Sequence, residues 1–229
     1  MKAGVIGLIH GDFEKLESFH HVKERGGSEI RESIEVRQTY TNLSGHPIGQ
    51  SGRAAVQRVT DSEEVQISDD GSISVTESSE LTTHYTEFLV VPGEFVVTRS
   101  RAGSFIFDLI ESEFDVTIES ARLNLKSYAS TKPEAEPWKI GFYGKQGNAE
   151  NGVVHGDQLL NDQELGMVLA DSPTNQLGLE YTKGEQLVKI FATESGYVEV
   201  YQPNNYDSAE FLNFVSDEII EHVKTEEDG

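Results

Sequence analysis

From Val65 onward, the chain alternates between short segments with the pattern of β-strands and clusters of turn-forming residues. The segments VQIS, SISVT, THYTEFLVV and EFVVTRS are punctuated by two turn signals, Asp69-Asp70-Gly71 and Pro92-Gly93. Alternating apolar and polar residues between such turns are typical of antiparallel strands joined by hairpins. Near the C terminus, LGLEYT, LVKIFAT and YVEVYQ repeat this pattern. The fold must therefore accommodate two antiparallel β-meanders.

The other segments predict two more strands and one loop. Residues 3–9 are continuously apolar, which predicts a strand buried on both faces. Residues 34–40 alternate in polarity, which predicts a half-exposed strand. Between them and the first meander, GHPIGQSGR (45–53) contains three Gly and one Pro. That composition predicts a loop.

Apolar residues at helical spacing predict four helices, over 13–23, 104–114, 118–128 and 207–223. For 118–128 a strand is the alternative, because Ala121, Leu123 and Leu125 also alternate. In the last helix, Asp207 and Glu210 have the spacing of an N-terminal capping box. Glu218 and His222 share a face there, where they would bind metal, shuttle protons or form a solvated edge.

These elements predict an α+β fold, with antiparallel β-meanders packed by amphipathic helices. Residues 130–137 contain two Pro and no large apolar residue, which makes them a candidate linker between 1–129 and 138–229. One compact domain is the alternative. Both parts contain a hairpin, a loop and a helix in that order, which indicates either two similar halves or a common way of covering a sheet.

Acidic residues dominate the composition and indicate the environment. The chain has 40 Asp and Glu against 18 Lys and Arg, a net charge of −22. Such self-repulsion disfavours a compact state in dilute salt. At about 1 M salt, however, the Debye length falls to about 3 Å and the repulsion is screened. We therefore expect a halophilic, archaeal protein of a high-salt cytosol, with a protein that mimics the DNA backbone as the alternative.

The sequence indicates neither membrane insertion nor cysteine chemistry. Its N-terminal stretch lacks the features of a signal peptide, and its apolar runs are far shorter than the roughly 18 residues that span a bilayer. We therefore expect a cytoplasmic protein with no membrane partner. With no Cys, disulfides, cysteine zinc sites and thiol nucleophiles are excluded.

Residues 36–60 form an acid-free segment, 25 residues without Asp or Glu. Residues 1–60 contain eight basic and seven acidic side chains, so this part of the chain lacks the acidic excess found elsewhere. Such a surface suits nucleic acid, through phosphate contacts and base stacking, or a protein partner or second copy, because carboxylates are costly to desolvate. The candidate contact residues are Arg37, Tyr40, His46, Gln50, Arg53 and Arg58, with Arg99 and Arg101 as an extension.

The tripeptide His-Gly-Asp occurs twice, each time after an apolar run. If the two strand ends met, His10, Asp12, His155 and Asp157 would offer two imidazoles and two carboxylates to a divalent metal. A metal there would acidify a bound water, as in metal-dependent hydrolases. No other cofactor is predicted, because the chain lacks the glycine patterns of phosphate-binding loops and the nucleophile elbow.

Three functions are compatible with these patterns. The first is a non-catalytic binding or regulatory protein that contacts nucleic acid or a protein partner through 36–60. The second is a structural or assembly protein, viral or from a mobile element, in which the same segment is a subunit contact. The third is a metal-dependent hydrolase with the paired His-Gly-Asp sites.

Overall fold

The computed structural model describes residues 1–25, 27–41, 47–132, 134–146, 149–162 and 172–224. The strands in these ranges are β1 (Ala3–His10), β2 (Phe19–Arg25), β3 (Ser28–Thr41), β4 (Pro47–Ile67), β5 (Ile73–Val91), β6 (Phe95–Thr98), β7 (Thr117–Ser120), β8 (Glu136–Gln146), β9 (Ala149–His155), β10 (Thr174–Lys183), β11 (Gln186–Thr193) and β12 (Tyr197–Gln202). The α-helices are α1 (Phe105–Glu113), α2 (Leu125–Ser130) and α3 (Ser208–Phe214). After α3 come a π-helical turn, Val215–Ile219, and a 3₁₀ turn, Ile220–His222; two more 3₁₀ turns are Arg101–Gly103 and Leu159–Asn161.

These strands form one open antiparallel sheet in the order β2-β3-β4-β5-β6-β1-β12-β11-β10-β8-β9. One edge of β1 pairs with β6, and the other pairs first with β12 and then with β7. The strands on either side of the candidate linker 130–137 belong to this same sheet, and its last two residues, Glu136 and Pro137, already pair with β10. The sheet thus runs without interruption from the N-terminal to the C-terminal part of the described chain.

The predicted fold class, α+β with meanders packed by amphipathic helices, is wrong. The described residues are mostly antiparallel strand, and the three helices are short. The helix predicted over 13–23 is replaced in its second half by β2, which pairs with β3. Arg25 lies opposite Ser28, and Gly27 in the two-residue connection has a φ of +79°, which glycine tolerates best. A hairpin turn therefore outweighs the helical spacing before it.

The segment 118–128 also differs from the predicted helix. Its first residues belong to β7, and α2 begins only at Leu125. Because β12 pairs only with the first part of β1, the second part has an open edge, which β7 fills from Gly7–Ser120 to His10–Thr117. Backbone pairing with a distant strand decides the structure here, and the local sequence does not contain that information.

The loop predicted over 45–53 is largely strand, because β4 begins at Pro47. Its glycines allow close packing. A Cβ atom on Gly52 would clash with the carbonyl oxygen of Glu35 and would lie 2.6 Å from Cζ of Phe88, and one on Gly49 would lie 2.8 Å from Cδ1 of Leu212. Glycine inside a strand often marks such a close approach.

The central strands β1 and β6 are buried on both faces, as the apolar content of 3–9 predicts for β1, and so is the inner end of β5 at Phe88–Val90. On one face Ile6, Leu89 and Val97 join the core beneath α3. On the other face, Val90 and Val96 join the core beneath α1. The helix predicted at 104–114 is confirmed as α1, and the capping box of Asp207 and Glu210 is confirmed at the start of α3. None of the helices described is long and apolar enough to cross a bilayer.

Candidate interaction surface

The outer parts of β4 and β5 form a hairpin that projects from the body of the protein. We call residues 58–82 the arm. None of these residues is buried, and all of them except Ser62 and Thr82 are exposed. The ladder is regular all the way from Arg58 opposite Thr82 to Ile67 opposite Ile73. At about 3.4 Å per residue, the arm is roughly 30 Å long.

One face of the arm carries exposed apolar side chains. The tip patch consists of Val65, Ile67, Ile73 and Val75, which are 56–74% exposed. The root patch consists of Val59 and Leu81, which lie opposite each other, and Tyr85 just inside the body. Between the two patches, the same face carries Asp61 opposite Ser79 and Glu63 opposite Glu77. The other face is polar, with Arg58, Thr60, Ser62, Glu64 and Gln66 on β4.

Side-chain hydrogen bonds hold the arm in register. On the polar face the hydroxyls of Thr60 and Thr82 lie 2.9 Å apart, and the backbone amide and hydroxyl of Ser72 both donate to Asp70 in the turn. These two bonds lower the pKa of Asp70. A two-stranded hairpin alone in water is at best marginally stable, and exposed apolar patches mark interaction sites. The arm therefore has the properties of a surface that another molecule covers.

The arginines of the acid-free segment lie beside acids from neighbouring strands. Nε of Arg53 lies 2.7 Å from one carboxylate oxygen of Glu35, and Nε of Arg37 lies 3.8 Å from the other. The hydrogen bond from Arg53 lowers the pKa of Glu35. Arg53 also lies opposite Glu87 in the β4–β5 ladder. The segment contains no acidic residue, but acidic side chains of the neighbouring strands lie beside its arginines.

The other candidate arginines are divided between surfaces. Arg99 lies 3.4 Å from Glu87 and thus extends the strip formed by Arg37 and Arg53. Arg58 lies five residues after Arg53 on the same uninterrupted ladder, so its side chain points to the opposite face. Arg101 is exposed in the 3₁₀ turn before α1. The arginines therefore do not converge on one basic face.

Two further candidates have structural contacts within the chain. The hydroxyl of Tyr40 donates to that of Ser51 at 3.0 Å. Gln50 is 1% exposed, and its amide accepts from the backbone N–H of Leu16 at 2.8 Å and donates to the carbonyl of Leu16 at 2.9 Å. Gln50 therefore fixes the segment before β2 and offers no surface to a partner. His46 lies outside the described residues.

The two His-Gly-Asp sequences do not meet. His10 ends β1 and His155 ends β9, and four strands, β12, β11, β10 and β8, lie between β1 and β9. At about 4.8 Å per strand this separation is roughly 24 Å along the sheet. The paired site that would join Asp12 and Asp157 to these histidines is therefore not formed. The described residues contain no group of three or more side chains placed to hold a metal.

A carboxylate is buried between two lysines at the C-terminal end of the fold. Glu218 is 6% exposed, and its oxygens lie 2.5 Å from Nζ of Lys132 and 2.6 Å from Nζ of Lys183. Burial works to raise the pKa of Glu218, but the bonds to both lysines outweigh it, so that the pKa is lowered. The solvated edge predicted for Glu218 and His222 is wrong, because the helix gives way to π and 3₁₀ turns that place both side chains inside.

The buried His222 leads us to predict that the stability of the folded protein depends on pH. It is 6% exposed, and Nδ1 lies 3.0 Å from the hydroxyl of Ser127. Burial lowers its pKa from the ordinary value of 6.5. His222 binds a proton more tightly in the unfolded chain than in the folded protein. The stability that comes from burying its neutral ring is therefore fully present above pH 6.5 and is lost as the pH falls through the lowered pKa. Urea unfolding at constant KCl is expected to show a loss between pH 7.5 and 5.5 that His222→Gln diminishes.

The matched control for this prediction is His84→Gln, because His84 is exposed at the base of the arm. We expect it to leave the pH dependence unchanged. Equal slopes for the His222 variant and the wild type would contradict the prediction.

Sequence patterns identified the arm's turn and strands but not the arm itself. The Asp69-Asp70-Gly71 turn is confirmed by the bond from Gly71 N–H to the carbonyl of Ser68 and by the glycine's φ of +81°. The missed signal was length. No Gly, Pro or Asn occurs between Arg53 and Ser68 or between Ser72 and Val91, so the segments on both sides of this turn are far longer than the five or six residues of an ordinary strand.

Comparison with known proteins adds no assignment, because neither a protein-family model nor a curated protein matches this sequence.

Proposed function

We propose that this protein is a non-catalytic structural subunit that assembles with further copies of itself through the arm. The observation that carries the proposal is the arm's uncovered apolar face. Seven half-exposed apolar side chains in the two patches cover on the order of 500 Å². A standard interface buries about 800 Å² per partner, of which somewhat more than half is apolar. The two patches thus expose about as much apolar surface as one partner buries in such an interface.

The charge of the arm favours protein over nucleic acid as the partner. Arg58 is its one basic residue, whereas its acidic residues are Asp61, Glu63, Glu64, Asp69, Asp70, Glu77 and Glu80. Phosphates would be repelled by this surface, and Arg37, Arg53 and Arg99 at its base are already paired. Nucleic-acid binding through 36–60 therefore has less support than a subunit contact. The hydrolase alternative also has less support, because His10 and His155 end strands that four other strands separate.

Salt should promote this assembly. Each copy carries a net charge of −22, and copies therefore repel one another in dilute buffer. At about 1 M KCl the repulsion acts over only about 3 Å, while apolar contacts are retained. A nucleic-acid complex would have the opposite salt dependence. Increasing association with increasing KCl is thus a signature of the proposed function.

Removing the arm tests the proposal. A variant in which Asn-Gly joins Gln57 to Thr83 lacks residues 58–82, none of which belongs to either core. We expect it to remain monomeric in light scattering at 0.2 and 3 M KCl, whereas the wild type assembles at 3 M. Its thermal unfolding should match that of the wild type, because the deleted residues are not part of the buried core.

Two results would contradict the proposed function. One is a wild type that stays monomeric at both salt concentrations. The other is an arm-less variant that is folded, as judged by circular dichroism, and assembles like the wild type.

A further inference from the structure

A cleft lies at the point where β1 exchanges one pairing partner for another. Strand β12 pairs with the first part of β1, up to Val5, and β7 pairs with the second part, from Gly7 onward. Between them, the N–H of Ile6 donates to the carbonyl of Gly196, and its carbonyl accepts from the N–H of Ala121. The cleft beside Val5 has a volume of about 680 Å³, and we call it the exchange cleft. Sites for small molecules commonly measure about 300–1,000 Å³.

The walls of the exchange cleft are rich in hydroxyl groups. They come from the turn before α1, from the end of β7 and from the connection between β11 and β12. The hydroxyl-bearing residues are Ser100, Ser104, Ser120, Thr193, Ser195 and Tyr197. Neither Ser100 nor Ser104 uses its side chain to cap the helical turn that follows it. Because hydroxyls both donate and accept hydrogen bonds, these walls suit a polar ligand.

Two arginines, Arg101 and Arg122, bring positive charge to the exchange cleft. The chain has 40 acidic residues, yet the guanidinium of Arg101 forms no ion pair with any residue that the structure describes. A charge that is exposed at a cleft and has no internal partner is available to a ligand. The side chain of Arg122 is 70% exposed, so it too can reach a molecule in the cleft.

Glu194 is the one acid among the described residues that line the exchange cleft, and it is neutralised from another direction. Its Oε1 atom lies 2.7 Å from Nζ of Lys224 but 3.4 Å from Nη2 of Arg122. The same oxygen also accepts from the hydroxyl of Tyr143 at 3.4 Å. Lys224 thus balances the charge of Glu194, and Arg122 retains most of its N–H donors.

This combination of groups fits a phosphate ester better than other anions. A guanidinium donates two parallel hydrogen bonds to a phosphate, and two arginines together match its charge of nearly −2 at neutral pH. Serine hydroxyls can donate to the remaining oxygens. The volume leaves room for an organic part, and the hydroxyl-rich walls favour one that itself carries hydroxyls. A nucleic acid would require basic residues well beyond two arginines in a cleft.

We propose that the exchange cleft binds a small phosphate ester of a hydroxylated molecule, a sugar phosphate. Arg101 and Arg122 hold the phosphate group, and the wall hydroxyls bond to the phosphate and the sugar. The exchange cleft lies beside β1, whereas the arm is the outer part of β4 and β5. Binding in the cleft is therefore independent of the proposed self-assembly.

Calorimetric titration with glucose 6-phosphate tests the proposal, at the lowest KCl concentration at which circular dichroism shows folded protein. We expect a dissociation constant below about 1 mM for the wild type, at least about 10-fold weaker binding of inorganic phosphate, and no detectable binding of glucose. The variants Arg101→Gln and Arg122→Gln should each weaken binding of the ester by at least about 10-fold, because each removes charge-assisted hydrogen bonds.

The matched control is Arg99→Gln. Arg99 is also exposed and lies two residues before Arg101, but it pairs with Glu87 and is not part of the cleft wall. It should bind glucose 6-phosphate like the wild type. The arm-less variant should bind it equally well, so that a failure of assembly and a failure of ligand binding are distinguishable.

Thiol protection locates the ligand, since the chain has no Cys of its own. In the Ser195→Cys variant, saturating glucose 6-phosphate should slow the reaction of the thiol with iodoacetamide by at least about 5-fold. Ser74→Cys, on the exposed arm, should react at the same rate with and without the ester.

Three results would overturn the proposal. The first is a folded wild type that binds glucose 6-phosphate no more tightly than glucose or inorganic phosphate. The second is an Arg99→Gln variant that loses as much affinity as Arg101→Gln. The third is a Ser195→Cys thiol that the ester does not protect.

Discussion

Replacing Glu218 by Gln is expected to lower the free energy of unfolding by about 3 kcal/mol at neutral pH. The carboxylate is buried and holds two ammonium groups, those of Lys132 and Lys183. Gln removes the charge but keeps the volume, so both lysines lose their partner. Lys132 is the more buried of the two, with a side chain 20% exposed, and bears most of the cost, whereas Lys183 at 50% can regain water. Urea unfolding at fixed KCl measures the difference.

The matched control is Asp217→Asn, which removes an exposed carboxylate one position earlier. An exposed surface charge contributes little, so we expect a change of less than about 0.5 kcal/mol. The effect at Glu218 should also depend on pH. Because its pKa is lowered in the folded protein, its stabilising contribution is present above the ordinary value of 4.5 and is lost as the pH falls through the lowered pKa. Equal losses for the two variants would argue against a buried ion cluster.

Phe88→Ala is the second substitution with a large expected effect, a loss of about 3–5 kcal/mol in the free energy of unfolding. Phe88 is 1% exposed and packs in the core beneath α1. Its ring lies against Gly52 of β4, where no side chain could fit. Removing the ring leaves a cavity at the base of the arm that the backbone around Gly52 cannot fill. Urea unfolding measures this loss.

Tyr85→Ala is its matched control. Tyr85 lies three residues earlier on the same strand but is 56% exposed, in the root patch. We expect a loss of less than about 1 kcal/mol in stability, together with weaker assembly in 3 M KCl. Phe88→Ala should show the reverse pattern, with assembly retained wherever the protein is still folded. If both variants changed stability and assembly in the same way, the packing around Phe88 and the contact made by the outer face of the arm would not be independent.

Local sequence predicted the elements that are determined by local interactions. The Asp69–Gly71 turn, the two-sided burial around Ile6, helix α1 and the capping box at Asp207 all follow from residues close together in the chain. Elements that depend on distant partners were wrong or missed. The strand β7 forms because β1 has an unpaired edge, and β4 begins inside a glycine-rich segment because Leu212 and Phe88 pack closely on its glycines.

The candidate surface was predicted in part for the same reason. The acid-free segment indicated a place where carboxylates are few, yet Glu35 and Glu87 lie beside its arginines through pairing with β3 and β5. The turn of the arm was visible in the sequence. Its exposure was not, because burial depends on which other strands and helices cover a segment. The apolar residues of the tip patch have the same local pattern as those of a core strand.

Strand β1 is synthesised first, but it pairs with strands that are distant in the sequence. Ile6 pairs with Val97, and Gly4 pairs with the still more distant Val198. When β1 leaves the ribosome, neither partner exists, and the centre of the sheet cannot close until β12 has been synthesised about 190 residues later. Pairings of such long sequence separation carry a large loop-closure cost and slow folding. The centre of the sheet therefore closes only after β12 has been synthesised, whereas the arm's hairpin, built from adjacent strands, can form long before.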